Sequence, residues 1–145
     1  MMSNVIRAIE TSYGSLERPN WSFVTKRIKE GLYDHLVKKL AEVGSIQETT
    51  DENDDCSRCL FITSGTESLT LRLSLVDKYA CVHDAMGRFF SGSDLLISLM
   101  GQRLSQLLKA SDIQLVDEEA LRTEVEFGGE KHTLYNLLFS IDGLI

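Results

Sequence analysis

The hydrophobic period of the chain changes at Gly44, and that change limits the fold more than any other feature. Before it, Trp21, Val24, Ile28, Leu32, Leu36, Leu40 and Val43 recur at steps of three and four, which is one face of a helix. Lys26, Arg27, Lys29, Glu30, Asp34, Lys38 and Lys39 fill the other faces. The spacing predicts one helix from about Asn20, an N-cap residue type, to Val43, with Gly44 as its stop. Gly31 falls inside it at a cost of about 1 kcal/mol relative to Ala, which suggests close packing there. After Gly44 the period becomes two. Cys59, Phe61 and Thr63 alternate with Leu60 and Ile62, and Leu69, Leu71, Leu73 and Leu75 alternate with Thr70, Arg72 and Ser74.

The turns between these runs are short. Ser64-Gly65-Thr66-Glu67 marks one and Asp77-Lys78 marks a tight hairpin into Tyr79–Ala85, so at least three strands form an antiparallel meander. Ile46–Thr50 adds an edge strand. A short helix over residues 3–12 precedes the long one. A second long helix is expected over 94–110, capped by Ser93 or Asp94, with Leu95, Leu96, Leu99, Met100, Leu104, Leu107 and Leu108 on its apolar face. Ile113–Val116 is a brief extended piece, and Thr123–Phe127 returns through Gly128-Gly129. Thr133 then caps a helix carrying Leu134, Leu137, Leu138 and Ile141.

Strand runs interrupted by single helices, without regular strand–helix alternation, indicate an α+β domain. The expected architecture is a mainly antiparallel sheet of five to six strands, packed by two long amphipathic helices and a short C-terminal one. With 145 residues, no internal repeat and no linker, the chain reads as one domain over 1–145. The expected core contains Trp21, Ile28, Leu36, Leu40, Leu71, Leu73, Leu99 and Leu107.

Charge narrows the function. Fifteen Lys and Arg against 22 Asp and Glu give a net of −7, which disfavours a nucleic-acid backbone as partner. Residues 42–57 and 112–130 each sum to −6, leaving +5 for the rest. Two groups of candidate partner-binding acids result: Asp51, Glu52, Asp54 and Asp55, and Asp117, Glu118 and Glu119. The first group is expected in an exposed loop and the second at an exposed strand edge. Phe89 and Phe90, between Gly87 and Gly92, cannot both easily point inward, so one is a candidate apolar anchor.

Chemical motifs are weak. Cys56, Cys59, Cys81 and His83 are the sharpest metal candidates. Yet Cys56 and Cys59 point to opposite faces of one strand, no knuckle turn lies between them, and the gap of 21 residues to Cys81 is long for a zinc ribbon. The run from Asp51 to Asp55 starts like a calcium loop but has Cys56 where Gly belongs and Ile62 where Glu belongs. There is no phosphate loop, nucleophile elbow or paired helical His. No catalytic residue, metal or cofactor is expected.

The odd cysteine count, the lack of an export-like segment and the lack of an apolar run of about 20 residues suggest a cytoplasmic protein without membrane contact. The leading expectation is a non-catalytic binding module, an immunity or antitoxin protein that neutralises a basic toxin domain such as a nuclease. Over residues 20–141, the order helix, three strands, helix, two strands, helix is similar to that of type III effector chaperones, which are also small and acidic. That resemblance implies the alternative of a secretion chaperone. A small zinc-binding protein is the third.

Overall fold

The computed structural model describes residues 2–141. Three helices come first: α1 (Met2–Tyr13), α2 (Phe23–Lys29) and α3 (Asp34–Leu40). Four strands follow: β1 (Ser45–Glu48), β2 (Ser57–Ser64), β3 (Glu67–Ser74) and β4 (Tyr79–His83). Next are α4 (Gly92–Leu95), α5 (Leu99–Ala110), β5 (Gln114–Leu115) and α6 (Glu118–Leu121). The ribbon β6 (Glu124–Phe127) and β7 (Glu130–Thr133) leads into α7 (Leu134–Leu138).

The fold is α+β. One sheet has the order β1-β2-β3-β4-β5, antiparallel except for β4 and β5, which run parallel, with Tyr79 opposite Gln114. β6 and β7 form a separate two-stranded sheet instead of extending it. Alternation sets the two sides. Leu60, Ile62, Leu69, Leu71, Leu73, Ala80 and Val82 pack with Leu36 and Leu40 of α3 and Met100, Leu104 and Leu108 of α5. A second cluster joins Cys56, Leu75 and Cys81 to α1, α2 and the wholly buried apolar side chains of α7. In it the Tyr13 ring meets Phe23 and Phe127 edge-on at 4.8 Å, and its hydroxyl donates to the Leu137 carbonyl at 2.8 Å.

Neither long helix is continuous. Residues 20–43 form α2 and α3, each seven residues long. Gly31, at φ +76°, ends α2: its N–H reaches the Ile28 carbonyl while that of Leu32 reaches the Arg27 carbonyl. Tyr33 is also left-handed (φ +76°), a cost of about 1–3 kcal/mol for a residue other than glycine. Its hydroxyl offsets that cost by donating to the Ser74 carbonyl at 2.6 Å, across the end of β3. Asn20 does not cap the helix; its Oδ1 accepts the Ser22 N–H in a local turn.

Residues 94–110 are likewise divided. Ser91, rather than Ser93 or Asp94, caps α4, and Asp94 closes the capping box. Ser98 then starts α5 by accepting the Gly101 N–H. The link from β3 to β4 is longer than a tight hairpin, because Leu75 and Val76 are buried in it. Of the expected core, Leu36, Leu40, Leu71 and Leu73 are buried, and Ile28 and Leu107 are half-buried. Trp21 and Leu99 are exposed, the latter by 62%.

Candidate functional site

The acidic loop before β2 is engaged with the fold. Asp51 Oδ1 accepts the Asn53 N–H, and the Asp54 carbonyl accepts the Ile141 N–H. Asp55 is buried, against the expectation of exposure. One of its oxygens accepts the Asp51 N–H at 2.9 Å, and the other meets Arg72 Nη1 at 3.2 Å. Asp51 and Glu52 are exposed and Asp54 is half-buried. The second acidic group opens a helix rather than lining a strand edge. Asp117 caps α6 through the Ala120 N–H, Glu118 pairs with Arg122 at 2.9 Å, and Glu119 lies in the first turn, where a carboxylate suits the helix dipole. All three are exposed.

Arg72 is the centre of a buried polar group that strand alternation concealed. It stands between Cys59 and Cys81 in register, on the side of the sheet covered by α7. Its Nε donates to His83 Nε2 at 3.2 Å, and its guanidinium lies 5.9 Å from the centre of the Tyr135 ring. His83 Nδ1 faces the Asp84 carbonyl at 3.0 Å, which fixes the neutral tautomer that donates from Nδ1. Burial lowers the His83 pKa below the usual imidazole range, and the Arg72 cation adds to the effect. Burial likewise pushes the Cys56 thiol up to about 12 and raises Cys81. These thiols stay protonated at neutral pH and are poor nucleophiles and poor metal ligands.

The proposed zinc set is not assembled. Cys59 and Cys81 lie on the two strands flanking β3, about 9.5 Å apart at the backbone, with the Arg72 cation between them. Cys56 turns its sulfur to the carbonyls of Asn136 and Leu137. Among the described residues no three His, Cys, Asp or Glu side chains are grouped to hold a metal ion.

Phe89 is buried against His83 and Tyr135, so it is not the exposed anchor. Phe90 is half-buried under the Arg88 guanidinium, which lies 5.7 Å from its ring centre.

The exposed apolar surface lies just beyond it. Met86 is 91% exposed, Leu96 52%, Ile97 81% and Leu99 62%. Four of the seven exposed large apolar residues among those described therefore fall within 14 positions of the chain. Their backbone is well fixed. Asp84 Oδ1 accepts the N–H groups of Met86 and Arg88, and Gln102 Nε2 donates to the Leu96 carbonyl. Gly101 lies so near the Leu95 carbonyl that any Cβ would collide with it. Two caps and this close approach hold Leu96 and Ile97 in the link between α4 and α5, pointing away from the core. Beside them Leu69, Phe90, Ile97 and Met100 line a hollow of about 400 Å³, with Glu67 and Arg88 also in its wall.

The apolar end and the acidic loop are far apart. β2 begins beside the acidic loop and ends at the turn holding Thr66, which lines the hollow with Ile97. Its eight residues span about 25 Å. Alternating strand and helix patterns did not reveal this surface, because Leu96 and Leu99 fit the helical stripe. The available signal was Ser98, a strong cap residue inside the expected helix.

Among the described residues no helix is long and apolar enough to cross a membrane. No protein-family model matches this chain, and no curated protein and no solved structure matches it.

Proposed function

We propose that the chain is a non-catalytic protein-binding module that meets its partner with the apolar end formed by residues 86–99. The supporting observation is that Met86, Leu96, Ile97 and Leu99 fall within 14 positions of the chain, each at least half exposed on backbone fixed by caps and side-chain hydrogen bonds. Preorganised apolar groups lose little entropy when covered, and a concentration of exposed large apolar side chains suits an interaction site. Affinity capture from the native host with the wild-type chain and with L96S/I97S/L99S tests this. The variant is expected to lose the partner while keeping the wild-type melting curve. Full retention of the partner by the variant contradicts the reading.

A second reading is supported by the exposure of Asp51, Glu52, Asp117, Glu118 and Glu119. In it the chain is an immunity protein that neutralises a basic toxin domain by charge. Reversing Glu52 and Glu119 to Lys separates the two: only the charge reading expects slower association.

A further inference from the structure

We infer that the His83 imidazole is an acid-sensitive latch holding the turn that carries Met86, Arg88 and Phe90 against the sheet, and that its protonation frees this turn. What the latch does for recognition rests on the reading of the apolar end as the partner-binding surface, which it would regulate.

His83 is buried at the end of β4 and joins two parts of the molecule through its two nitrogens. On the side covered by α7, Nε2 accepts the Arg72 Nε–H at 3.2 Å. On the other side, Nδ1 donates to the Asp84 carbonyl at 3.0 Å. That same carbonyl accepts the Gly87 N–H at 3.1 Å, and the Asp84 N–H reaches the Arg88 carbonyl at 3.0 Å. Asp84 Oδ1 accepts the N–H groups of Met86 and Arg88, each at 2.9 Å. The turn is therefore built on the one residue that the imidazole grips. Beyond it, Phe89 meets the His83 ring edge-on at 5.7 Å and pairs with His83 in a single antiparallel bridge. The Phe90 N–H donates to the Val82 carbonyl at 2.8 Å, and Phe90 lines the hollow beside Ile97. One ring thus touches the buried cation and the base of the exposed apolar end.

A proton on Nε2 undoes this arrangement. A guanidinium can only donate, so the latch needs an acceptor at Nε2, and protonation makes it a donor facing a cation. The charged and titratable groups around the ring come from every element packed there. Arg72 belongs to β3, Cys59 to β2, Cys81 to β4 and Tyr135 to α7, with Asp55 on the loop before β2 and Asp84 on the turn. Both oxygens of Asp55 are engaged, one by Arg72 and one by the Asp51 N–H. Repulsion from Arg72 and attraction to Asp84 then drive the imidazolium outward, in the direction of the turn. A ring that swings into water regains its usual proton affinity, so release takes up a proton and acid favours the freed turn.

The test follows the His83 ring and the backbone amides of the isotope-labelled full chain by NMR from about pH 7.5 to about pH 5. The ring is expected to titrate below the usual 6.5. The amides of Met86, Gly87, Arg88 and Phe90 are expected to shift with the same midpoint and to lose about tenfold in protection against hydrogen exchange, while β2 and β3 keep theirs. His83→Gln, neutral at every pH, is expected to abolish the response of the turn. If that variant does not fold, the wild-type titration still decides. A ring that takes no proton before the whole chain unfolds overturns the latch. So do turn amides that do not follow the ring, or a turn that responds equally in His83→Gln. The readout is of the free chain, so retention of the partner by L96S/I97S/L99S would remove the recognition surface and leave the latch standing.

Discussion

The Asp55 carboxylate lies 3.2 Å from the Arg72 guanidinium, both side chains are almost wholly out of solvent, and the pair ties the acidic loop to the middle strand of the sheet. An acid that looks like surface charge in the sequence thus neutralises a buried cation. Removing one partner of a buried pair leaves the other uncompensated, at a cost of about 3–5 kcal/mol. Asp55→Ala is expected to fall in or just below that range in urea unfolding. Glu52→Ala, on an exposed side chain, is expected to stay within about 0.5 kcal/mol of wild type. Equal effects of the two would show that Asp55 is not structural.

His83 gives the stability a defined pH dependence. It is neutral in the fold, with Nε2 accepting from Arg72 and burial holding its pKa below the usual value of 6.5. Unfolding restores the usual value, so below it the unfolded chain takes up a proton that the folded chain resists. The contribution is complete above about pH 6.5 and is lost as pH falls toward the folded pKa. Glu48 acts lower: its hydrogen bonds with Arg58 depress its pKa, so its contribution fades only below the usual 4.5. Urea midpoints of wild type should therefore fall between about pH 7 and pH 5, and His83→Gln should flatten that slope. An unchanged slope in the variant contradicts the assignment.

Gly101 is expected to admit no side chain. A Cβ there collides with the Leu95 carbonyl, which is backbone and has little room to move. Gly101→Ala should cost about 1–3 kcal/mol despite its better helix propensity. A stabilised Gly101→Ala in thermal melting would mean that α4 and α5 do not approach as described.

The sheet was legible because period-two patterning survives without knowledge of neighbours: Leu69, Leu71 and Leu73 point to one side, and all are buried. The short turn Gly65-Thr66 and the ribbon turn Gly128-Gly129 were legible for the same local reason. Helix continuity was not. Leucines at three- and four-residue steps persist across Gly31 and Tyr33, although two left-handed residues break the helix there. Leu96 and Leu99 fit the stripe expected over 94–110 but are exposed, because the Ser98 cap restarts the helix and changes which face is inward. Alternation puts Arg72 on the face of β3 opposite Leu71 and Leu73, a face that a strand with one buried side would turn to solvent. That α7 would cover that face, and that Asp55 would come to meet it, depends on contacts distant in sequence.

Leu73 and Leu99, both expected in the core, are predicted to separate sharply on truncation. Leu73 is fully buried, so Leu73→Ala should cost about 2–5 kcal/mol. Leu99 is 62% exposed, so Leu99→Ala should stay within about 0.5 kcal/mol. Denaturant melts of both variants measure this, and a large loss for Leu99→Ala would place it in the core after all.

Recognition at the apolar end is read out by amide hydrogen exchange on the full chain, free and bound to the partner it captures. Exchange is expected to slow on binding across residues 86–99, with residues 50–56 and 117–121 unchanged. Protection confined to the two acidic segments, with residues 86–99 exchanging as in the free chain, would contradict recognition there.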